Sequence, residues 1–281
     1  GSPLLETLMV SYSESLSELN LTGLDKLKFL DCQGCAFTQL DLSGCPNLEV
    51  LACNNNSLTE LNCSKMKRLK DVACYSNKLK KIDLSDCYSL TSLDCSVNPT
   101  LETLQLSPSI QSLDVSQCAL KEIPGLNQLS RLKTLTCVDN KLTELDLSSA
   151  YGLEVLSCPK NQIKDLSSVT QLFALKSITV SDNPITALTL PNAYNIYFVK
   201  IDGTALDACA LNALYRSLRE RRDEDSKNDL GGCMLFNGTP AAPKSKTQIA
   251  VQKGWMVSVE GDGSGCSEEG DNAFDVVYTN V

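Results

Sequence analysis

The feature that most limits the fold is a repeat. The template L-x-x-L-x-C-x-x-N-x-L-x-x-L-x-L starts at Leu27, Leu48, Leu69, Leu90, Ile110, Leu132, Leu153, Leu175 and Ile196, in steps of 20 to 22 residues. Its sixth position holds Cys32, Cys53, Cys74, Cys95, Val115, Cys137, Cys158, Val180 and Ile201. Its ninth holds Cys35, Asn56, Asn77, Asn98, Cys118, Asn140, Asn161, Asn183 and Thr204. Offset 13 gives Leu40, Leu61, Ile82, Ile123, Leu145, Leu166 and Leu188, with Leu104 slipped by one. A degenerate run, Leu16-x-x-Leu19-x-Leu21, precedes the nine copies.

Each position has its own physical reason. Apolar residues at positions 1, 4 and 6 point to one side of a short strand. One strand cannot bury that side alone, but stacked copies form a parallel sheet over a continuous core. Cysteine serves there as a small buried hydrophobe. Asparagine stands where the chain leaves the strand, and its amide can satisfy backbone groups of its own and neighbouring coils. The sixth-position cysteines are expected as free thiols: neighbours are about 4.8 Å apart, but their parallel Cβ vectors oppose a relaxed disulfide dihedral. A row also does not converge on one point, as a zinc site requires. About twelve residues remain to close each coil, too few for a full helix with its turns, so the return is expected to be extended or a short 3₁₀ turn. The predicted fold is an α/β-type repeat solenoid: a right-handed leucine-rich repeat horseshoe of gentle curvature, with a parallel concave sheet, a thin convex side and capped ends.

The stretches LACNNNSLTELNCS and LTCVDNKLTELDLSS resemble the 21-residue, cysteine-ladder repeats of bacterial surface leucine-rich repeat proteins, the internalin J-like type, and also repeats of Bacteroidetes surface proteins. The resemblance covers residues 16–206. It implies export, a place on the cell surface, and protein or glycan binding in adhesion or host contact.

Four segments are expected. Residues 1–26 would hold an N-terminal cap and the degenerate copy, with a short helix starting at Ser2-Pro3. Residues 27–206 are the nine repeats, 207–259 a C-terminal α/β cap, and 260–281 an acidic tail segment. In the cap, Asp207 is expected to open a helix to about Arg222 with the stripe Leu211, Leu214, Tyr215 and Leu218. Arg219-Glu220-Arg221-Arg222 reads as its solvated end. A strand near Cys233–Phe236, a helix near Ser245–Lys253 stopped by Gly254, and a strand near Trp255–Val259 follow. The final expected helix and strand, Lys253-Gly254-Trp255-Met256-Val257, also resemble the cap that closes Bacteroidetes repeat proteins. Of the fourteen cysteines, Cys209, Cys233 and Cys266 fall outside the repeats, and Cys233–Cys266 is the expected bridge. Asp262, Glu268, Glu269 and Asp271 match no EF-hand spacing, so a calcium role is not assigned.

Composition removes several functions. The formal net charge of -9 argues against a nucleic-acid partner, which calls for a basic footprint. The chain has no histidine, the commonest general base and metal ligand. It has no recognisable nucleophile motif and no convergent carboxylate pair, so an enzyme is not expected and no cofactor or metal is assigned. No apolar run reaches the roughly 20 residues of a membrane span. Gly1-Ser2 reads as a cloning scar, which leaves a native export signal or lipid anchor open.

What remains is a binding module for a protein or glycan ligand. Positions 3, 5 and 7 of the repeats face the concave side and are mostly small, for example Ala52, Ala73, Ser92, Ser116, Thr136 and Ser157. The larger groups there are Phe29, Tyr75 and Phe198, with Asp31, Asp71, Asp94 and Asp114 as a broken acidic row. These seven are the candidate contact residues. The alternative is an intracellular cysteine-rich repeat scaffold resembling the ribonuclease inhibitor type, whose longer units fit a 21-residue step poorly.

Overall fold

The structure, a computed structural model, describes residues 2–63, 66–227 and 232–267. In chain order its strands are β1 (Thr7–Met9), β2 (Phe29–Asp31), β3 (Val50–Ala52), β4 (Glu60–Asn62), β5 (Asp71–Ala73), β6 (Lys81–Asp83), β7 (Ser92–Asp94), β8 (Thr103–Gln105), β9 (Ser112–Asp114), β10 (Thr134–Thr136), β11 (Val155–Ser157), β12 (Ser177–Thr179), β13 (Phe198–Lys200), β14 (Cys233–Phe236) and β15 (Trp255–Val257). Helix α1 covers Ala208–Ser217 and α2 covers Gln248–Gln252.

Twelve of these strands form one sheet in the order β1-β2-β3-β5-β7-β9-β10-β11-β12-β13-β14-β15. Every pairing in it is parallel. Within each repeat strand the middle residue points inward and is buried, as with Leu51, Val72 and Leu135, while its two neighbours face out. The chain is thus a leucine-rich repeat solenoid with one continuous core. On the return side β4, β6 and β8 make a second, three-stranded parallel sheet, and short 3₁₀ turns occupy Leu126–Gln128 and Ser167–Gln171. Leu104 of β8 lies opposite Ile82, so its displacement in the sequence is absorbed by the preceding loop.

The two ladders are visible atom by atom. Asn77 Nδ2 donates to the carbonyls of Cys74 in its own coil (3.0 Å) and Cys53 in the preceding one (3.1 Å), while its Oδ1 accepts the N–H of Leu58 (2.9 Å). Asn56, Asn98, Asn140, Asn161 and Asn183 repeat this pattern. Where cysteine replaces asparagine, the thiol retains only the donor half: Cys35 Sγ reaches Val10 O and Cys118 Sγ reaches Cys95 O, both at 3.2 Å. The sixth-position cysteines are free and buried. Desolvation pushes the Cys32 thiol up to about 12 and raises those of Cys53 and Cys74 as well. A second buried group of free thiols, Cys45, Cys63 and Cys87, lines the return side.

The position after the strand turn has a regularity that the letters conceal. Asn55, Ser76, Val97, Gln117, Asp139, Lys160 and Asp182 all take φ between 53 and 56°, and Gly34 and Gly203 occupy the same place. Each coil requires a left-handed residue here, and the side chains filling it have nothing else in common.

Five expectations at the ends are corrected. Ser2-Pro3 begins a turn rather than a helix, and β1 follows. Leu5, Leu8 and Val10 take the inward positions of a further coil, whose strand covers the edge of β2. Leu16, Leu19 and Leu21 form the return arm of that coil rather than a separate copy; Leu21 is buried in the core. At the other end α1 is capped by Asp207, whose carboxylate accepts the Ala210 N–H (2.8 Å), but it stops at Ser217 rather than near Arg222. The Lys253 ammonium holds the carbonyls of Arg216 and Leu218 at the helix end. Arg219 is not solvated: it makes a bidentate ion pair with Asp225 (2.7 and 2.6 Å), and both side chains are largely buried. Finally, the disulfide joins Cys209 to Cys266, whose Cα atoms are 5.1 Å apart. Cys233 is the first residue of β14 and is buried facing Asp225, where desolvation raises its thiol to about 11, so it is not available to Cys266.

Candidate functional site

The outward residues of the twelve-stranded sheet make one long surface. Its middle, across β10, β11 and β12, is small and uncharged: Thr134, Thr136, Val155, Ser157, Ser177 and Thr179. The seven candidate residues lie on both sides of this plain stretch and are not gathered at one place. Phe29 opens β2, Tyr75 follows β5 two strands on, and Phe198 opens β13, eight strands from β2. At about 4.8 Å per strand, Phe29 and Phe198 are separated by roughly 38 Å. All three rings are half-buried.

The acidic row has mostly local partners. Asp31 Oδ1 accepts the Gln33 N–H (3.2 Å), Asp94 Oδ1 accepts the Ser96 N–H (3.0 Å) and hydroxyl (2.7 Å), and Asp114 Oδ1 accepts the Ser116 N–H (2.9 Å). These carboxylates close the turn after the strand, two residues on, and Asp31 is itself buried. Asp71 opens β5 and is the exposed member of the four.

The densest cluster lies where the last repeat meets the cap. Phe198 and Phe236 stack at 5.6 Å between centroids, tilted by 47°. The Lys200 ammonium lies 5.6 Å from the Phe236 centroid and 3.9 Å from Asp202. Asp202 in turn accepts the Gly238 N–H (2.7 Å), a close approach that a Cβ at Gly238 would obstruct. Met234 is paired in register with Phe198 and with the exposed Met256. Phe236, Met234 and Met256 were not legible as concave residues. Phe198 pairs with Met234, 36 residues on, so the repeat template runs out before it reaches them. The available signal was local: Cys233–Phe236 alternates inward and outward side chains as a repeat strand does.

Among the described residues no three metal-ligating side chains converge, and no helix is long and apolar enough to cross a membrane. Asp262 Oδ1 accepts the Ser264 N–H (2.9 Å); Glu268, Glu269 and Asp271 lie outside the described residues.

No family model and no curated protein matches the chain. Solved structures do. A leucine-rich repeat protein of Leptospira interrogans is 21% identical, with a TM-score of 0.74 over 91% of this chain and 66% of that one. The functional domain of InlJ from Listeria monocytogenes, described as including a cysteine ladder, is 24% identical, with a TM-score of 0.52 over 83% of this chain. The chain spans 64% of that domain's length. The internalin InlF of the same species is 19% identical, with a TM-score of 0.56 over 84% of this chain and 74% of that one. At these identities the likeness is one of fold: the chain is similar to leucine-rich repeat proteins, including one with a cysteine ladder.

Proposed function

We propose that the chain is a protein-binding module of the cell surface or extracellular space, and that the concave sheet is its contact face. The observation that carries this reading is the cluster at the C-terminal end of that face. Phe198, Phe236, Met234 and Met256 offer apolar contact area on a rigid sheet, and Lys200 adds one cation beside them. Aromatic anchors held by a preformed surface lose little conformational entropy on binding. The uncharged middle strands let a partner lie along the sheet without desolvating buried charge. The Cys209–Cys266 bridge fits an oxidising compartment, where such bonds persist. Phe29, Asp71 and Tyr75 would contribute at the opposite end, with Asp31, Asp94 and Asp114 shaping turns more than touching a ligand.

The test uses the wild-type chain and the variant Phe198→Ala/Phe236→Ala as baits with quantitative mass spectrometry. A protein held by wild type and depleted about tenfold on the variant is expected, with the melting temperature unchanged. Equal capture by both baits would move the site away from this cluster. The variant Phe29→Ala/Tyr75→Ala applies the same test to the other end.

A further inference from the structure

Outside the concave face, three aromatic rings stand in a row. Tyr151, Phe173 and Tyr194 each lie four residues before the first residue of a strand, and those strand residues, Val155, Ser177 and Phe198, are paired in register. Their exposures are 56, 49 and 56%. Only 5% of the chain is aromatic, so three exposed rings at one position of three consecutive coils call for an explanation beyond scattered surface apolarity.

The backbone beneath each ring is fixed in the same way. The N–H of Leu153 bonds to Ala150 O (2.9 Å), that of Leu175 to Leu172 O (3.3 Å) and that of Ile196 to Ala193 O (3.1 Å), so each aromatic sits within a closed turn. Ala150, Leu172 and Ala193 are buried just before the rings. At about 4.8 Å per coil the outer rings stand about 10 Å apart.

The surroundings select the ligand's chemistry. Gly152, Ala174 and Asn195 follow the three rings, and no charge flanks them. Of the ions around the row, Lys176 pairs with Glu154, Arg222 is bound to Tyr194 O (2.8 Å) and Glu224 (3.1 Å), and Arg131 stands one coil before Gly152 in register. The amides of Asn192 and Asn195 border the last ring, with the Tyr194 hydroxyl bonded to Asn192 Oδ1 (3.3 Å). Three half-exposed rings supply roughly 300 Å², well below the roughly 800 Å² per partner of a stable protein interface. A narrow, neutral, regularly spaced aromatic row suits a chain of neutral rings whose C–H faces lie on the electron-rich aromatic faces and whose hydroxyls meet amides at the rim.

We propose that Tyr151, Phe173 and Tyr194 form a stacking platform for a short stretch of neutral oligosaccharide running across the coils. This site is separate from the concave surface and does not depend on the reading of that face.

The test is calorimetric titration of the whole chain with cellohexaose, laminarihexaose and chitohexaose, with polygalacturonate as an anionic control. Binding of at least one neutral hexasaccharide is expected. The variant Tyr151→Ala/Phe173→Ala/Tyr194→Ala should weaken it at least about tenfold while melting as wild type does. Phe173→Trp should retain it, and Phe198→Ala/Phe236→Ala should leave it unchanged. The proposal is overturned if none of the three sugars binds at millimolar concentration, if binding survives the triple variant, or if only polygalacturonate binds. It is also overturned if the row instead mediates self-association that the triple variant abolishes.

Discussion

The repeats and the cap build the same sheet by different means. From β2 to β13 each coil is closed by its own short code: inward apolar residues, a buried sixth position and, except where Cys35, Cys118 and Thr204 stand in for it, an asparagine stapling two coils. In the cap the sheet runs on unbroken through β14 and β15, yet that code is gone. Its place is taken by contacts between distant residues: the Arg219–Asp225 pair, Lys253 on the end of α1, the Tyr215–Ser245–Asn237 hydrogen-bond group and a disulfide spanning 57 residues. Strand stacking therefore does not need the repeat. It needs each coil interior filled and each turn carbonyl satisfied, and a periodic sequence is one way among others of doing so.

The largest expected effect of breaking this contrast falls on the repeats. Asn77→Ala leaves the carbonyls of Cys53 and Cys74 and the N–H of Leu58 without this partner in a buried site. A loss of about 3 kcal/mol is expected in denaturant unfolding. Asn77→Cys should cost less, because the thiol keeps the donor bond, as Cys118 does.

The cap should be distinguished by its response to acid. The side-chain hydrogen bonds from Arg219 hold the Asp225 carboxyl down at about 2. A carboxylate with a depressed native pKa contributes stability above its unfolded value and loses it as pH falls through the native one. The cap is thus expected to lose about 2 kcal/mol between about pH 4 and pH 2, reported by the fluorescence of Trp255, whose Nε1 bonds to Arg219 O. Asp225→Asn should remove most of this acid step.

A smaller effect sharpens the same comparison. Val97 holds φ at 55°, a conformation that a β-branched side chain resists. Val97→Asn should stabilise the chain by about 1 kcal/mol in thermal melts, because asparagine tolerates this region and Asn55 already fills the equivalent place.

The same contrast explains what was legible. Leu, Cys and Asn at fixed offsets reveal the strand, the core and the ladder because each function recurs and is carried by one residue type. The left-handed position recurs as strictly but is met by Asn, Ser, Val, Gln, Asp and Lys, so composition does not mark it. The first coil was misread because Ser2-Pro3 matches a helix start, and Ser13 stands where the asparagine would mark the turn. In the cap, Asp207 and the stripe from Leu211 to Leu218 were legible because capping and amphipathicity are local. The partners of Arg219, Lys253 and Cys209 are distant in sequence, and spacing does not determine them. For the concave surface, sequence placed Phe198 but not Phe236, because that pair spans the boundary between the two regions.

The most direct test of the account is a thiol count on denatured, unreduced protein, combined with peptide mapping. If the repeats are held by packed thiols and asparagines while the cap is tied covalently, twelve free thiols and a single Cys209–Cys266 link are expected. Bridges among Cys32, Cys53, Cys74, Cys95, Cys137 and Cys158, or a link from Cys233 to Cys266, would contradict it.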